Sequence, residues 1–374
     1  QNLTFQNGNA AEDGGAIYMP WFGNFRAVDC IFQNNHTAAT GPDMGGGAIF
    51  IGGLDEAIIA GCEFTGNSGS NGGALNNRGC TLTIVDSSFS DNEATGWGGG
   101  LENGGIGGAV YVDGMNYDDP GDFIGCNNRF VSNIAGDHGG AMFLHFYDDS
   151  TATVTLTLFE ENHAQGADSV MGALYHQEAP LHLSNSLFLN NSTNLHAGAL
   201  YLGQNAPATV ENCTFYGNSA AEDGVGGAIF AGASTVRVTN CTFAENSANY
   251  GPAIFCGQEN EFILKNNIFA NNHVTGDGEY NGTSCCFTLT DGGGNIQWPA
   301  TRANGGADKP CTDTVLFADP LLVAPADNGG PTYTMAIGAS SPAISYATSC
   351  PDTDQRGEPR TTPCDAGAYE LPGE

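Results

Sequence analysis

Apolar and polar positions along this chain recur with two periods at once. In stretches such as GGAIFAGASTVRVTNCTF (226–243), short runs alternate apolar and polar residues and are rich in β-branched side chains. That is the period of a half-buried strand, and Gly, Asn and Ser break the runs where turns are needed. No 3.6-residue pattern with caps appears, so helix is not expected. The longer period is a repeat. An F-x-x-N element occurs at Phe32, Phe64, Phe89, Phe130, Phe159, Phe188, Phe215, Phe243 and Phe269, with a degenerate copy at Phe5, where Gly8 takes the Asn place. A second element, small-small-Ala-apolar, alternates with it, as GGAI at 14–17, GGAL at 72–75 and GPAI at 251–254.

The arc from each Ala to the next Phe holds 15 to 21 residues and is nearly constant, whereas the arc from Phe to the next Ala varies from 10 to 20. One side of the unit is rigid and the other takes insertions. A unit of this size made of short strands cannot bury its own apolar face, so successive units must stack strand on strand. The reading is an all-β, right-handed parallel β-helix of about ten coils over residues 1–275, followed by a disulfide-tied C-terminal capping segment, 276–374, that covers the lower end. Each Phe is expected to stack along the axis inside the solenoid, about 4.8 Å per coil. The motif Asn is expected at a corner, in the left-handed region and laddering amide to amide. Gly-Gly supplies positive φ or close backbone approach at another corner.

The paired G-G-A-[ILV] and F-x-x-N elements, over about residues 5–272, resemble the repeats of chlamydial polymorphic outer membrane proteins and related bacterial surface proteins. ADPLLVAPADNGGPTYTMAIGASSPAI (318–344), followed by DQRGEPR (354–360) and CDAGAYE (364–370), is similar to the C-terminal region of bacterial choice-of-anchor Q proteins. These resemblances imply right-handed β-helices displayed on cell surfaces or secreted, mostly without enzymatic activity. The closing LPGE is not a sortase motif with its apolar tail, so no anchor of that kind is expected.

Charge narrows the partners. The net charge is −32, because Lys and Arg number only nine, and such a surface repels nucleic acid, anionic lipid and polyanionic glycans. No apolar run is long enough to span a bilayer, so neither nucleic-acid binding nor membrane insertion is expected. Twelve cysteines without C-x-x-C spacing point to an oxidising, extracellular or cell-surface setting. Cys350 with Cys364 is the preferred bridge, and Cys311 with Cys285 or Cys286 the second. Cys30 and Cys62, like Cys213 and Cys241, fall two residues before the Phe in neighbouring coils, where either a disulfide or a stack of reduced thiols fits.

The variable arc is long in alternate coils, which predicts four loops along one edge. This ridge offers Trp97, Asp43, Glu102, Asp168, Glu222 and Asp223 as a binding face for a glycan or protein partner. The acidic clusters at 117–122 and 146–150 offer Asp118, Asp119, Asp122, Asp148 and Asp149 as Ca²⁺ ligands, with solvated acidic turns as the alternative. Sequons make Asn2, Asn35, Asn190, Asn191 and Asn281 candidate glycosylation sites. Gln1 begins within a coil without a preceding cap, so head-to-tail self-association into filaments is also expected. A lyase would need Lys or Arg grouped with acids, and the two lysines, Lys265 and Lys309, are not so placed. The expectation is therefore a non-enzymatic structural or adhesive protein, with a polysaccharide lyase, a glycosidase or a glycan-binding module as the alternative.

Overall fold

The chain winds as a parallel β-solenoid of about nine turns, built from short strands and, among the described residues, no helix. The structure is a computed structural model. It describes residues 1–373 apart from 22, 39, 54, 97–102, 115–120, 148–149, 167–170, 222, 233–234, 258–260 and 276–281. Each turn visits four sheets in order. Sheet A has 12 strands, from Thr4–Gln6 to Leu316–Phe317, and carries the motif Phe. Sheet B has 10 two-residue strands, sheet C has nine strands from Ile17–Pro20 to Ile254–Cys256, and sheet D has 10 from Asn24–Val28 to Thr290–Asp291.

Repetition gives every strand the same partner residue one turn away. Phe5 pairs with Phe32 and Phe32 with Phe64, and so on down to Phe269. The rings from Phe32 to Phe269 are fully buried and stack with centroids 4.6 to 5.2 Å apart. The motif Asn forms a second ladder. In each coil its side-chain amide donates to the next Asn Oδ1 and to the carbonyl of the preceding coil's Phe, as Asn67 does to Asn92 at 2.9 Å and to Phe32 at 2.9 Å. The run continues from Asn35 to Asn272 and so satisfies a column of buried polar groups that would otherwise each cost ~1–3 kcal/mol.

One detail differs from expectation. The left-handed residue of this corner is the one before the ladder Asn, for example Asn34, Asp91, Glu161 and Glu245, at φ between 52° and 57°. Its side chain faces solvent and its identity is free. The Asn is selected for its inward amide, not for its backbone angle. At the Gly-Gly corner the two glycines divide the work. The first has positive φ (Gly72, 58°), and a Cβ on the second, Gly73, would lie 2.3 Å from the Gly108 carbonyl oxygen of the next coil.

The column two residues before Phe settles the cysteine pairs. Cys30, Cys62, Ser87, Asn128, Thr157, Ser186, Cys213, Cys241, Asn267 and Asn295 share it, and in most steps a backbone N–H donates to the next side chain. Cys30 and Cys62, and Cys213 and Cys241, are therefore buried free thiols that stand in for Ser or Asn, not disulfides. Cys285–Cys311 and Cys350–Cys364 are the bridges.

Only the first part of the disulfide-tied C-terminal segment closes the lower end of the solenoid. Strands continue to Phe317, so irregular turns tied by Cys285–Cys311 close that end. From 318 the chain runs back along the outer face of sheet A. Met335, Ile337, Ala343, Ala347, Cys364 and Tyr369 pack there on Ala244, Ile268, Ala270 and Ile296. Four successive corner asparagines hold it: Asn185 donates to the carbonyls of Asp354 and Gln355, Asn212 to Thr353, Asn240 to Asp365 and Asn266 to Thr348. The physical reason is apolar continuity. The outward residues of sheet A change from Thr4, Gln6 and Glu63 in the first turns to Leu187, Leu189, Ile268 and Ile296 in the last, and that strip must be covered.

Inside sheet C one core position is a histidine. His176 lies between Leu144 and Leu202 in the inward row, fully buried, with Nε2 against the Ala179 carbonyl at 2.9 Å. Burial lowers its pKa to about 4, with nearby His145 adding to the effect. In the unfolded chain the same group takes its proton near 6.5. Between those values the unfolded state binds more protons, so stability is lost as pH falls from 6.5 toward 4, by roughly 3 kcal/mol for a shift of this size. His163 and His196 are lowered by burial and act in the same sense. We expect His176→Leu to remove most of this acid-side loss in urea titrations at pH 7 and pH 4.5. An unchanged difference between the two pH values would disprove the assignment.

Candidate functional site

The outward face of sheet C carries two columns. The first is aromatic. Tyr111, Phe143, Tyr175, Tyr201, Phe230 and Phe255 stack face to face at 4.3 to 5.4 Å. Ile106 and Met171 from the long loops pack over its upper part. Because the ring faces are spent on one another, this column holds the corner together and leaves few faces for a ligand.

The second column lies four residues after the motif Ala. It reads Pro20, Gly52, Arg78, Asp113, His145, Gln177, Gly203, Gly232 and Gly257. Small or rigid residues fill it except on four consecutive coils, and there it is ionisable or amide-bearing. Strand pairing sets Arg78 beside Asp113, Asp113 beside His145 and His145 beside Gln177.

These side chains touch. His145 Nδ1 is 3.5 Å from Asp113 Oδ1 and its Nε2 is 3.8 Å from Glu178 Oε1, so one imidazole bridges two carboxylates. Tyr111 donates its hydroxyl to Asp113 Oδ2 at 3.2 Å, and Arg78 pairs with Asp43 at 3.2 Å. Burial raises the pKa of Asp113, with His145, Tyr111 and Arg78 opposing. Burial likewise raises Asp13, which accepts from Gly45 N–H and lies in the field of Arg78.

Elsewhere the ladders satisfy most buried polar atoms, but here they do not. Arg78 Nε, Asp113 Oδ1 and His145 Nε2 are buried without a hydrogen-bond partner among the described residues, and so are both Nδ2 and Oδ1 of Asn76. Asn76 is fully buried and interrupts the aromatic column between Phe50 and Tyr111. Arg78 Nε and both amide atoms of Asn76 thus lack any partner, beside the Asp113–His145–Glu178 ion pairs, and this gathers polar groups, donors and acceptors mixed, on three adjacent strands.

Only part of the sequence-derived site meets this cluster. Asp43 does, through Arg78, whereas Asp223 is exposed and apart from it. Trp97, Glu102, Asp168 and Glu222 lie outside the described residues, as do Asp118, Asp119, Asp148, Asp149 and Asn281. Asp122 is described and acts between coils, accepting from Thr151 N–H at 2.8 Å and from its hydroxyl at 3.0 Å. Asn35 and Asn191 are not glycosylation acceptors in the folded protein, since each is a buried member of the Asn ladder. Asn2 and Asn190 are exposed. Arg78, Asp113, His145 and Gln177 were not singled out from the sequence, although alignment on the motif Ala exposes them as the only break in a column of small residues.

A family model described as a right-handed beta helix region matches residues 123–297, just under half of the chain. The chain is also similar to a protein named metabotropic glutamate receptor-like protein R from Dictyostelium discoideum, 24% identical over 364 residues that cover 85% of this chain. It spans only 21% of that relative's length.

Proposed function

We propose that this chain is a non-enzymatic, extracellular β-helical recognition module, a rigid rod that binds a neutral glycan through the Asn76–Arg78–Asp113–His145 surface of sheet C. The observation that carries this reading is the concentration, on three adjacent strands, of buried polar atoms without a hydrogen bond, Arg78 Nε and both amide atoms of Asn76, beside the Asp113–His145–Glu178 ion pairs. A sugar hydroxyl both donates and accepts, which suits a surface where the Arg78 and Asn76 donors lie among the Asp113 and Asn76 acceptors. Asp13, Asp43 and Glu178 around it, with the net charge of −32, disfavour acidic glycans. Similarity to a receptor-like protein supports recognition over catalysis.

A panel of neutral and acidic oligosaccharides tests the reading. Binding of a neutral member by the intact protein is expected, weakened about 10- to 100-fold by Arg78→Met, the effect of losing a charge-assisted hydrogen bond. No binding to the panel, or equal binding by a folded R78M protein, overturns it.

A second reading rests on the two carboxylates around His145. Asp113, raised by burial, would act as general acid and Glu178 as base in glycoside hydrolysis. Release of reducing ends from the same panel, abolished by Asp113→Asn, would favour that reading.

A further inference from the structure

We propose that Cys256 and Cys286 close a third disulfide, extending the Cys285–Cys311 bridge into a covalent staple across three successive turns at the end of the solenoid. Cys256 ends the last strand of sheet C. One turn on, Cys285 pairs with Ile254 in a parallel bridge, and Cys286 N–H donates to the Ile254 carbonyl at 3.3 Å. By register Cys286 falls beside Phe255, and the bend at 286–287 brings its side chain toward residue 256. Its Sγ is 4.0 Å from the Cys256 carbonyl oxygen, and the two thiols hydrogen-bond each other. Cys285 meanwhile reaches forward to Cys311 in the following turn.

The other free thiols near neighbours of their own kind have a structural duty. Cys30, Cys62, Cys213 and Cys241 continue a hydrogen-bond column, and Cys80 donates to Asn77 Oδ1 at 2.7 Å. Cys256 ends the inward row of sheet C, and neither it nor Cys286 belongs to a hydrogen-bond column. They stand where the columns stop: the Asn ladder ends with Asn272 donating to Ser284 at 3.3 Å, the Phe stack ends with Phe269 facing Gln297, and sheet B ends at Val274. Covalent linkage there replaces the stacking order that has run out.

The chemistry is thiol–disulfide exchange. A cleft lined by Cys256, Phe262, Phe287 and Leu289 opens beside Cys256, and Cys286 is only partly buried. Donation from the Cys256 thiol holds Cys286 below the ordinary thiol range, which makes Cys286 the attacking thiolate. It attacks one sulfur of a disulfide oxidant, such as glutathione disulfide, and releases one thiolate. The Cys256 thiol then loses its proton and displaces the second thiolate from Cys286. Two electrons pass to the oxidant disulfide, which leaves as two thiols, and one protein disulfide is formed.

Full-length protein, refolded or secreted under glutathione disulfide and alkylated in denaturant without reduction, distinguishes the outcomes. Twelve cysteines with three bridges leave six alkylated thiols, whereas the two bridges alone leave eight. Trypsin, cutting after Arg237, Lys265 and Arg302, puts Cys256 in 238–265 and both Cys285 and Cys286 in 266–302. Six thiols, with these two peptides joined until reduction, is the expected result. Eight thiols, or six with the lost pair mapped to Cys213 and Cys241, overturns the proposal. The Cys286→Ser protein should show seven thiols and release 238–265 without reduction, and the same peptide linkage persisting in it would also be decisive against.

Discussion

Replacing Phe130 by Ala should cost about 3–5 kcal/mol, the range for emptying a fully buried aromatic position. Phe130 lies between Phe89 at 4.8 Å and Phe159 at 5.2 Å, both rings within 9° of parallel, and it is fully buried. The substitution removes apolar area and two stacking contacts together, the latter ~0.5–1.5 kcal/mol each. The neighbouring backbone cannot close the gap, because the Asn ladder beside it fixes coil spacing: Asn133 donates to Asn162 Oδ1 at 2.9 Å and to the Phe89 carbonyl at 3.0 Å. In a solenoid each turn contacts only its neighbours, so a void in the middle also weakens the coupling between the two halves. Urea unfolding followed by far-UV circular dichroism should therefore show a lower midpoint and a broadened or split transition. Phe130→Leu, which refills much of the volume, should restore most of the loss. A loss below 1 kcal/mol for F130A with a single sharp transition would show that the stack does not couple the turns.

Much of this core is written in the sequence because every coil repeats the same physical problem. A Phe at one step per coil can only stack, and an Asn three residues on can only ladder once the rings fix the register. Spacing alone could not distinguish which residue of the corner takes positive φ, since Asn34 and Asn35 both tolerate it; the inward hydrogen bonds of Asn35 decide the matter. The cysteine columns were ambiguous for a related reason. Cα spacing permits a disulfide at Cys213 and Cys241, but a backbone N–H that needs an acceptor makes the free thiol a ladder member. Of the candidate site, Arg78, Asp113 and His145 are legible once coils are aligned and Asp43 was named on its long loop, whereas Glu178 comes from a turn whose path no repeat dictates. The tail's course was hidden for the opposite reason. Its partner strip on sheet A is spread over residues 185–296 and becomes a surface only when the coils are stacked.

That tail carries the second large effect, at Arg360. Its guanidinium is almost fully buried and donates to Glu370 Oε2 at 3.0 Å, to Asn212 Oδ1 at 3.0 Å and to the Gly367 carbonyl at 2.9 Å. One side chain thus joins the two halves of the tail to the solenoid corner. Glu370 in turn accepts from Thr361 N–H and Asp365 N–H, and the neighbouring Arg356–Asp354 pair lies against Tyr369, with the guanidinium 3.9 Å from the ring centre. Arg360→Met leaves the Glu370 carboxylate buried without its counter-charge, a loss of about 3–5 kcal/mol. Adding Glu370→Gln removes the stranded charge, so the double variant should regain part of the stability, which simple loss of packing would not allow. The expected signature is local. Thermolysin should cut the tail of the R360M protein first, while the far-UV strand signal persists to higher denaturant, because the Asn and Phe ladders of the solenoid do not pass through Arg360 and are retained. If tail and solenoid instead unfold together in R360M at an unchanged midpoint, the ion pair is not what fastens the segment, and its apolar contacts with Ile268 and Ile296 must hold it alone.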